Sequence, residues 1–342
     1  MKKVILAVSL LVLILIFSSV VGGWFFLTSP VSKTKVAKIF VVPKGVTASY
    51  VAQKLESGGI IKSALVFKVY MKVTNGASKI KPGEFKLYTN DSMYKVIDAL
   101  FGPPLEVWVT IPEGMRREQI VGKVMNGLEM PDSDRVAFLD SFLEETKGKE
   151  GYLFPDTYLF PPDITASMVT KKMLDTFDQK FDAEARQKAF SNGLDLNTVV
   201  TLASLVERET RNPEEKPVIA GIILKRMKAG WLLQIDATVQ YAIASENCKL
   251  QNNNRSDDRE NCVWWPDVFG DDLSITSPFN TYENIGFPPF PIANPGIDSL
   301  SASASPQDSP YWFYLHDTKG QIHYGATLEE HNENVSKYLD NN

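Results

Sequence analysis

Two glutamates separated by one arginine are the residues of this chain best suited to acid–base chemistry. Glu207, Arg208 and Glu209 end an apolar stretch that begins near Val199. On a helix, at about 100° per residue, Glu207 and Glu209 fall at opposite edges and cannot point into one site. A carboxyl group that does chemistry here must therefore act alone, beside apolar neighbours that would raise its pKa. Alternatively, both are boundary residues of an amphipathic helix, paired at the surface with Arg208 or Arg211.

Other common catalytic motifs are absent from the sequence. It contains no HExxH or CxxC spacing, no glycine-rich phosphate loop and no glycine pattern of a nucleophile elbow. The three histidines (His316, His323 and His331) come late in the chain, and we interpret His316 and His331 as structural or surface residues. We therefore expect no metal and no cofactor. The net charge of −5 over 342 residues also argues against nucleic acid as a partner.

Four polar residues beyond the glutamates are candidate substrate contacts. They are Gln234, Asp236, Asn280 and Tyr282. Their side chains carry the donors and acceptors that sugar hydroxyl and acetamido groups require. A structural role, such as bracing the loop around Glu207, stays open for each of them.

The N-terminus predicts attachment to a membrane. Residues 4–27 form an uncharged apolar run long enough to cross a bilayer as a helix, after a cytoplasmic tail of residues 1–3 and before a linker of residues 28–38. A cleaved signal peptide is the alternative, but no Ala-x-Ala site follows Trp24. We favour a retained single-pass anchor, with the bulk of the chain outside the cytoplasm.

The two cysteines fit an extracytoplasmic location. Cys248 and Cys262 bracket a polar stretch, and a disulfide between them would contribute about 3 kcal/mol in an oxidising compartment. Two unrelated thiols are the alternative.

A strand, a Pro-x-Gly turn and a helix follow one another twice, over residues 41–55 and 109–124. The first copy belongs to a small α+β module (39–104) that resembles the glycan-binding LysM type, although a spacer without a ligand fits as well. We expect a second repeat and junction over 105–165 and a mixed α+β catalytic domain over 166–342. The helix that carries Glu207 is predicted to have Asn197 as its N-cap. The predicted fold class is thus α+β.

Several segments together resemble the endolytic murein transglycosylase family, the YceG-like proteins. The resemblance runs in the family's order from about residue 38 to the C-terminus. It rests on Ile111–Gly114, Leu153–Tyr158, Leu202–Thr210, Leu233–Tyr241, Ser277–Tyr282 and Pro291–Gly296.

This resemblance implies cleavage of the β-1,4 bond between N-acetylmuramic acid and N-acetylglucosamine in nascent peptidoglycan strands. The products would carry 1,6-anhydro ends, and the cleavage would end strand elongation. Glu207 matches the family's catalytic glutamate, and Glu209 is left as a supporting residue. Peptidoglycan, the bacterial inner membrane and peptidoglycan synthases are the implied partners. A non-catalytic glycan-binding scaffold of the wall-synthesis machinery, or a hydrolysing muramidase, is the alternative.

The chain departs from the family pattern in a few places. Trp231 stands where methionine is usual, Ala237 where proline is usual, and Phe290 where glycine is usual. The loop over residues 246–272, which holds both cysteines, is longer than the usual connection. Substrate fit around Phe290 and this loop is therefore left open.

Overall fold

The computed structural model describes residues 2–250 and 262–339 of the chain. It is a mixed α+β protein, as predicted, with two compact units. The first unit comprises Met1–Val109 and Tyr158–Asp163, and the second comprises Thr110–Thr157 and Ile164–Asn342. The predicted junction over 105–165 is therefore divided between the two units.

The N-terminal apolar run forms one helix, α1 (Lys2–Thr28). Its segment Ser9–Thr28, with a mean hydropathy of 2.5, is long and apolar enough to cross a membrane, a property that anchors share with signal sequences. The end of the helix packs on the first unit. The indole Nε1 of Trp24 donates to the hydroxyl of Tyr94 at 2.8 Å, and Lys62 Nζ donates to the carbonyl of Phe26 at 3.3 Å.

The first unit contains an antiparallel pair of strands covered by helices. Its elements after α1 are β1 (Ala37–Val42), α2 (Ala48–Ser57), α3 (Ala64–Val73), β2 (Gly83–Tyr88) and α4 (Met93–Phe101). Phe40 lies opposite Phe85 in the register, and both are buried in the core. The first predicted strand–turn–helix is confirmed: Thr47 caps α2 by accepting from the backbone N–H of Tyr50. Glycan binding by this module stays a prediction.

The second predicted strand–turn–helix is also confirmed. Strand β3 (Val107–Thr110) pairs with β4 (Thr157–Phe160), and α5 (Arg117–Gly127) follows β3 after the Pro-x-Gly turn. Gly114 of that turn has φ +73°, which explains why a glycine stands there.

Most residues of β3 and β4 belong to the first unit, whereas helices dominate the second. Besides α5, these helices are α6 (Asp132–Glu145), α7 (Ala166–Lys180), α8 (Ala183–Ser191), α9 (Leu196–Glu209), α10 (Lys216–Lys228), α11 (Asp236–Leu250), α12 (Ile297–Ala304) and α13 (Leu328–Tyr338). The strands β5 (Phe313–His316) and β6 (Ile322–Gly325) pair antiparallel.

Helix α9 lies at the centre of the core of the second unit. Every residue from Val199 to Val206 is buried, and the helix packs against α10 and α12. The predicted N-cap Asn197 is wrong. Asp195 caps the helix, and its carboxylate accepts from the backbone N–H of Thr198 at 2.7 Å. The long loop predicted over 246–272 falls partly outside the described residues, which omit 251–261.

Candidate active site

Glu207 lies in the last turn of α9 with only 7% of its side chain exposed. Three donors reach one of its oxygens, Oε2: Lys216 Nζ at 3.2 Å, the hydroxyl of Ser299 at 2.6 Å and the backbone N–H of Gly296 at 3.1 Å. Within the described part of the chain, all hydrogen bonds to this carboxyl group end on Oε2. Oε1 is thus the oxygen of this carboxyl group that accepts none of these hydrogen bonds.

The beginnings of two helices supply these donors. Lys216 is the first residue of α10, and its side chain is 2% exposed. Gly296 precedes α12, and Ser299 lies in its first turn. A helix N-terminus carries free N–H groups and a partial positive charge, so it suits a carboxylate. None of these three residues is among the site residues predicted from the sequence, although Gly296 ends the Pro291–Gly296 segment of the resemblance.

A second carboxylate, that of Glu113, lies beside Glu207. It packs directly on the backbone of Gly296, where a Cβ atom would collide with it. Desolvation and, next, the negative charge of Glu207 raise the pKa of Glu113, while Lys216 lowers it. The sequence predicts that one carboxyl group acts alone, and the structure places a second one, that of Glu113, beside it. The sequence contained a signal for Glu113, because this residue belongs to the Ile111–Gly114 segment on which part of the family resemblance rests.

Asn294 joins the segments around Glu207. Its buried side-chain amide accepts from the backbone N–H groups of Gly151 and Leu153, and it donates to the carbonyl of Met115 and to Glu150. The four bonds connect Asn294 to Met115 and to the segment 150–153. Two residues after Asn294, the backbone N–H of Gly296 donates to Glu207. Segments of the chain that are far apart in sequence thus meet at one asparagine.

Glu209 has different partners from those of Glu207, as the helical angles predict. Its Oε2 accepts from the hydroxyl of Tyr314 at 2.8 Å. Desolvation raises the pKa of Glu209, and the charge of Asp236 adds to this, whereas the hydrogen bond from Tyr314 lowers it. Glu209 therefore belongs to a neighbouring polar cluster rather than to the Glu207 carboxyl group.

Three of the four candidate substrate contacts lie together. The hydroxyl of Tyr282 donates to Asp236 Oδ1 at 2.5 Å, and the backbone N–H of Gln234 donates to the carbonyl of Thr281 at 3.1 Å. Gln234 and Asp236 are exposed, so their side chains are accessible to a ligand. Gln234 also has φ +56°, an uncommon conformation that its tie to Thr281 holds in place.

Asn280 is placed differently. It is fully buried, and its amide donates to the carbonyls of Leu273 and Ile275 and accepts from the backbone N–H of Tyr282. These contacts give Asn280 a structural role within its own loop.

The structure also shows the surroundings of the three residues that depart from the family pattern. Trp231 packs against Trp312 with a centroid distance of 4.5 Å and the rings tilted by 30°. Ala237 is buried in α11, and the Phe290 ring meets that of Phe279 edge-on at 4.9 Å. Cys248 and Cys262 form a disulfide. Across the described residues, no group of three or more His, Cys, Asp or Glu side chains could hold a metal ion.

Comparison with known proteins gives consistent results. Residues 40–337 match the sequence model of the YceG-like family. The endolytic murein transglycosylase of Bacillus subtilis strain 168 is 29% identical over 351 residues, covering 94% of this chain and 91% of the relative. That of Streptococcus pneumoniae serotype 2 is 27% identical over 87% of this chain, which spans only 58% of the relative.

A crystal structure of a YceG-like protein from Listeria monocytogenes is similar in fold. It has a TM-score of 0.53 and 26% sequence identity, covering 88% of this chain and 99% of that protein. The predicted resemblance is confirmed by these matches.

Proposed function

The chain belongs to the YceG-like family, and on that premise we propose that it is an endolytic lytic transglycosylase of peptidoglycan. It cleaves the β-1,4 bond between N-acetylmuramic acid and N-acetylglucosamine within nascent strands and leaves 1,6-anhydro ends, which stops elongation. The observation that carries the proposal is the asymmetry of Glu207, whose Oε2 holds three donors while Oε1 is left without one among the described residues.

This asymmetry suits one carboxyl group that acts twice. A proton on Glu207 Oε1 passes to the glycosidic oxygen as the bond to the anomeric carbon breaks. The resulting carboxylate then takes the proton of the muramic acid 6-hydroxyl, whose oxygen attacks the same anomeric carbon. Because the nucleophile belongs to the substrate, its effective concentration is high and no second base is needed. Lys216, Ser299 and Gly296 fix the carboxyl group throughout.

The position of Glu113 favours a second candidate function, that of a hydrolysing muramidase. Inverting and retaining glycosidases both use two carboxyl groups that flank the bond. Glu113 and Glu207 both lie against the Gly296 backbone, so Glu113 could activate water instead of leaving attack to the 6-hydroxyl. The reaction product distinguishes the two chemistries.

We assign the remaining roles on the same premise. Gln234, Asp236 and Tyr282 contact the sugar hydroxyl or acetamido groups, and Glu209 supports the polar cluster through Tyr314. Helix α1 is retained as a single inner-membrane anchor with its N-terminus in the cytoplasm, which keeps the catalytic unit near newly made strands and their synthases.

Product analysis tests the proposal. The full chain in detergent is incubated with uncrosslinked glycan strands, and the fragments are identified by mass spectrometry. Anhydro-ended fragments that disappear in Glu207→Gln support it, with a loss of about 10²- to 10⁴-fold for removal of an acid–base group. Fragments with a hydrated reducing end identify a muramidase. Binding of strands without any cleavage identifies a non-catalytic scaffold.

A further inference from the structure

The second unit contains a cavity of about 630 Å³ that does not include Glu207 in its lining. This volume lies within the usual range of ligand sites, about 300–1,000 Å³. Two kinds of side chain dominate the wall, and the roles assigned above use neither of them.

The first kind is aromatic, and its rings form a continuous row. Phe290 meets Phe279 at 4.9 Å, and Phe279 meets Tyr241 at 4.7 Å between ring centroids. The guanidinium of Arg116 follows, 3.9 Å from the Tyr241 ring and 4.6 Å from the Trp264 ring. Phe290 stands at the end of this row and is 46% exposed, so a ligand can reach it.

The second kind is cationic. Arg116, Arg117 and Lys147 line the cavity together with two carboxyl groups, Glu118 and Glu150. The cations outnumber the carboxyl groups even when both of these are ionised. Glu118 pairs with the two arginines, whereas Lys147 is exposed and makes no ion pair within the described residues.

Two tryptophans that follow one another in the sequence connect the cavity to the Glu207 site. Trp264 packs on Arg116 in the cavity wall. The ring of Trp265 lies 3.9 Å from the guanidinium of Arg208, the residue next to Glu207. On the other side, only two residues separate Glu113, beside Glu207, from Arg116. A ligand that occupies the cavity can therefore be part of a substrate bound at Glu207.

The wall is poorly suited to a sugar ring by itself. Sugar hydroxyl groups require several donors and acceptors that are not already engaged within the protein. Ser245 is the neutral hydroxyl of the wall, apart from that of Tyr241, and it already donates to the Tyr241 carbonyl and accepts from Arg116. Excess positive charge beside a row of aromatic rings that ends at the exposed Phe290 suits instead a short peptide with free carboxylates and apolar side chains.

We propose that this cavity binds the carboxylate-bearing stem peptide attached to the glycan strand, so that the enzyme selects strands by their peptides. The inference rests on the proposed function, because only a peptidoglycan substrate brings such a peptide to this place.

Direct binding is the first test. The full chain carrying Glu207→Gln in detergent is titrated calorimetrically with L-alanyl-D-isoglutamyl-L-lysyl-D-alanine, with the same peptide amidated at its carboxylates, and with a peptide-free N-acetylglucosamine oligomer. We expect the acid peptide to bind, the amidated peptide to bind about tenfold more weakly, and Lys147→Gln or Phe290→Ala to weaken the acid peptide about fivefold. The control Lys171→Gln, on the exposed face of α7, should bind like its parent.

Equal binding of the acid and amidated peptides, or an effect of Lys147→Gln and Phe290→Ala on the sugar oligomer alone, would overturn the proposal. Cleavage separates it from the proposed function. Cleavage is measured with chains that keep Glu207. The ratio of kcat/KM for peptide-bearing strands to kcat/KM for peptide-free strands should be about fivefold lower in Lys147→Gln than in the wild type. If no strand is cleaved but the peptide titration behaves as expected, the proposed function fails and the peptide site stands.

Discussion

Lys216 Nζ lies 3.2 Å from Glu207 Oε2, and the two side chains are 2% and 7% exposed. A buried ion pair of this kind contributes little net stability compared with apolar residues, but the loss of one partner leaves an uncompensated charge. The Ser299 hydroxyl and the Gly296 N–H, which bind the same oxygen, complete the solvation that water would otherwise supply.

Replacing Lys216 therefore tests the pair. Lys216→Met keeps the length of the side chain but leaves Glu207 without its cation, and we expect a loss of about 3 kcal/mol in the free energy of unfolding. Denaturant unfolding of the full chain in detergent measures this. The control is Lys228→Met, at the exposed end of the same helix, where the change should stay within about 0.5 kcal/mol. If the two substitutions change the free energy of unfolding equally, the buried pair with Glu207 does not account for the contribution of Lys216 to stability.

Gly296 is a steric requirement of the site. Its φ of −78° is one that alanine adopts easily, so Gly296→Ala should act through the collision of the new Cβ with Glu113. We expect kcat/KM on glycan strands to fall about 10- to 100-fold, because small misplacements of catalytic groups are costly. The matched control is Gly122→Ala in α5, where the new methyl group meets open space and activity should not change.

Glu113 is expected to contribute to the reaction in either chemistry. Glu113→Gln keeps the contact with Gly296 but removes the charge beside Glu207, and kcat/KM should fall about tenfold or more. Mass spectrometry of the products shows its role: an enzyme that forms anhydro ends should still form them, more slowly. Glu184→Gln, on the exposed surface of α8, serves as the control. Wild-type kinetics in Glu113→Gln would remove Glu113 from the mechanism.

Glu150 predicts a pH dependence of stability. Burial, together with the charge of Glu118, raises the pKa of Glu150 from 4.5 to about 8. Between these values the folded chain binds more protons at this group than the unfolded chain, so the stability that Glu150 contributes is fully present below about pH 4.5 and is lost as the pH rises towards 8.

Glu150→Gln mimics the protonated acid and should flatten this trend. Thermal unfolding at pH 5 and at pH 8 measures it, since the variant should lose less of its Tm across that interval than the wild type. Glu144→Gln, an exposed glutamate of α6, should keep the wild-type slope. Parallel slopes in all three chains would contradict the raised pKa of Glu150.

The sequence predicted those elements whose signals are local. The apolar face of α9, both strand–turn–helix segments and the N-terminal apolar helix follow from spacing and turn residues that lie within a few positions of one another. Asp195 rather than Asn197 caps α9, because two neighbouring polar residues can both serve and only the start of the helix decides between them. Helices α7 and α8 are separate because Phe181, which lies between them, leaves the helical conformation.

The site is harder to predict, since tertiary contacts build it. Helical angles correctly separate Glu207 from Glu209, but they say nothing of Glu113, Lys216 or Ser299, which other segments bring to Glu207. The family resemblance indicated which segments of the chain contribute to the site. Only the tertiary packing decides which side chains of these segments contact Glu207. Asn280 illustrates the limit: its residue type suits a sugar contact, yet it is buried and its amide binds its own loop.

The bond network of Asn294 has a consequence for the chemical ageing of the enzyme. Conversion of this amide to an acid would remove two donated hydrogen bonds and place a new charge beside Glu150. Asparagine usually ages when the backbone nitrogen of the next residue attacks the side-chain carbonyl and closes a five-membered imide. Here the next residue is Pro295, whose nitrogen carries no hydrogen. Asn294, whose hydrogen bonds hold the segments of the site together, is thereby protected from deamidation through a cyclic imide.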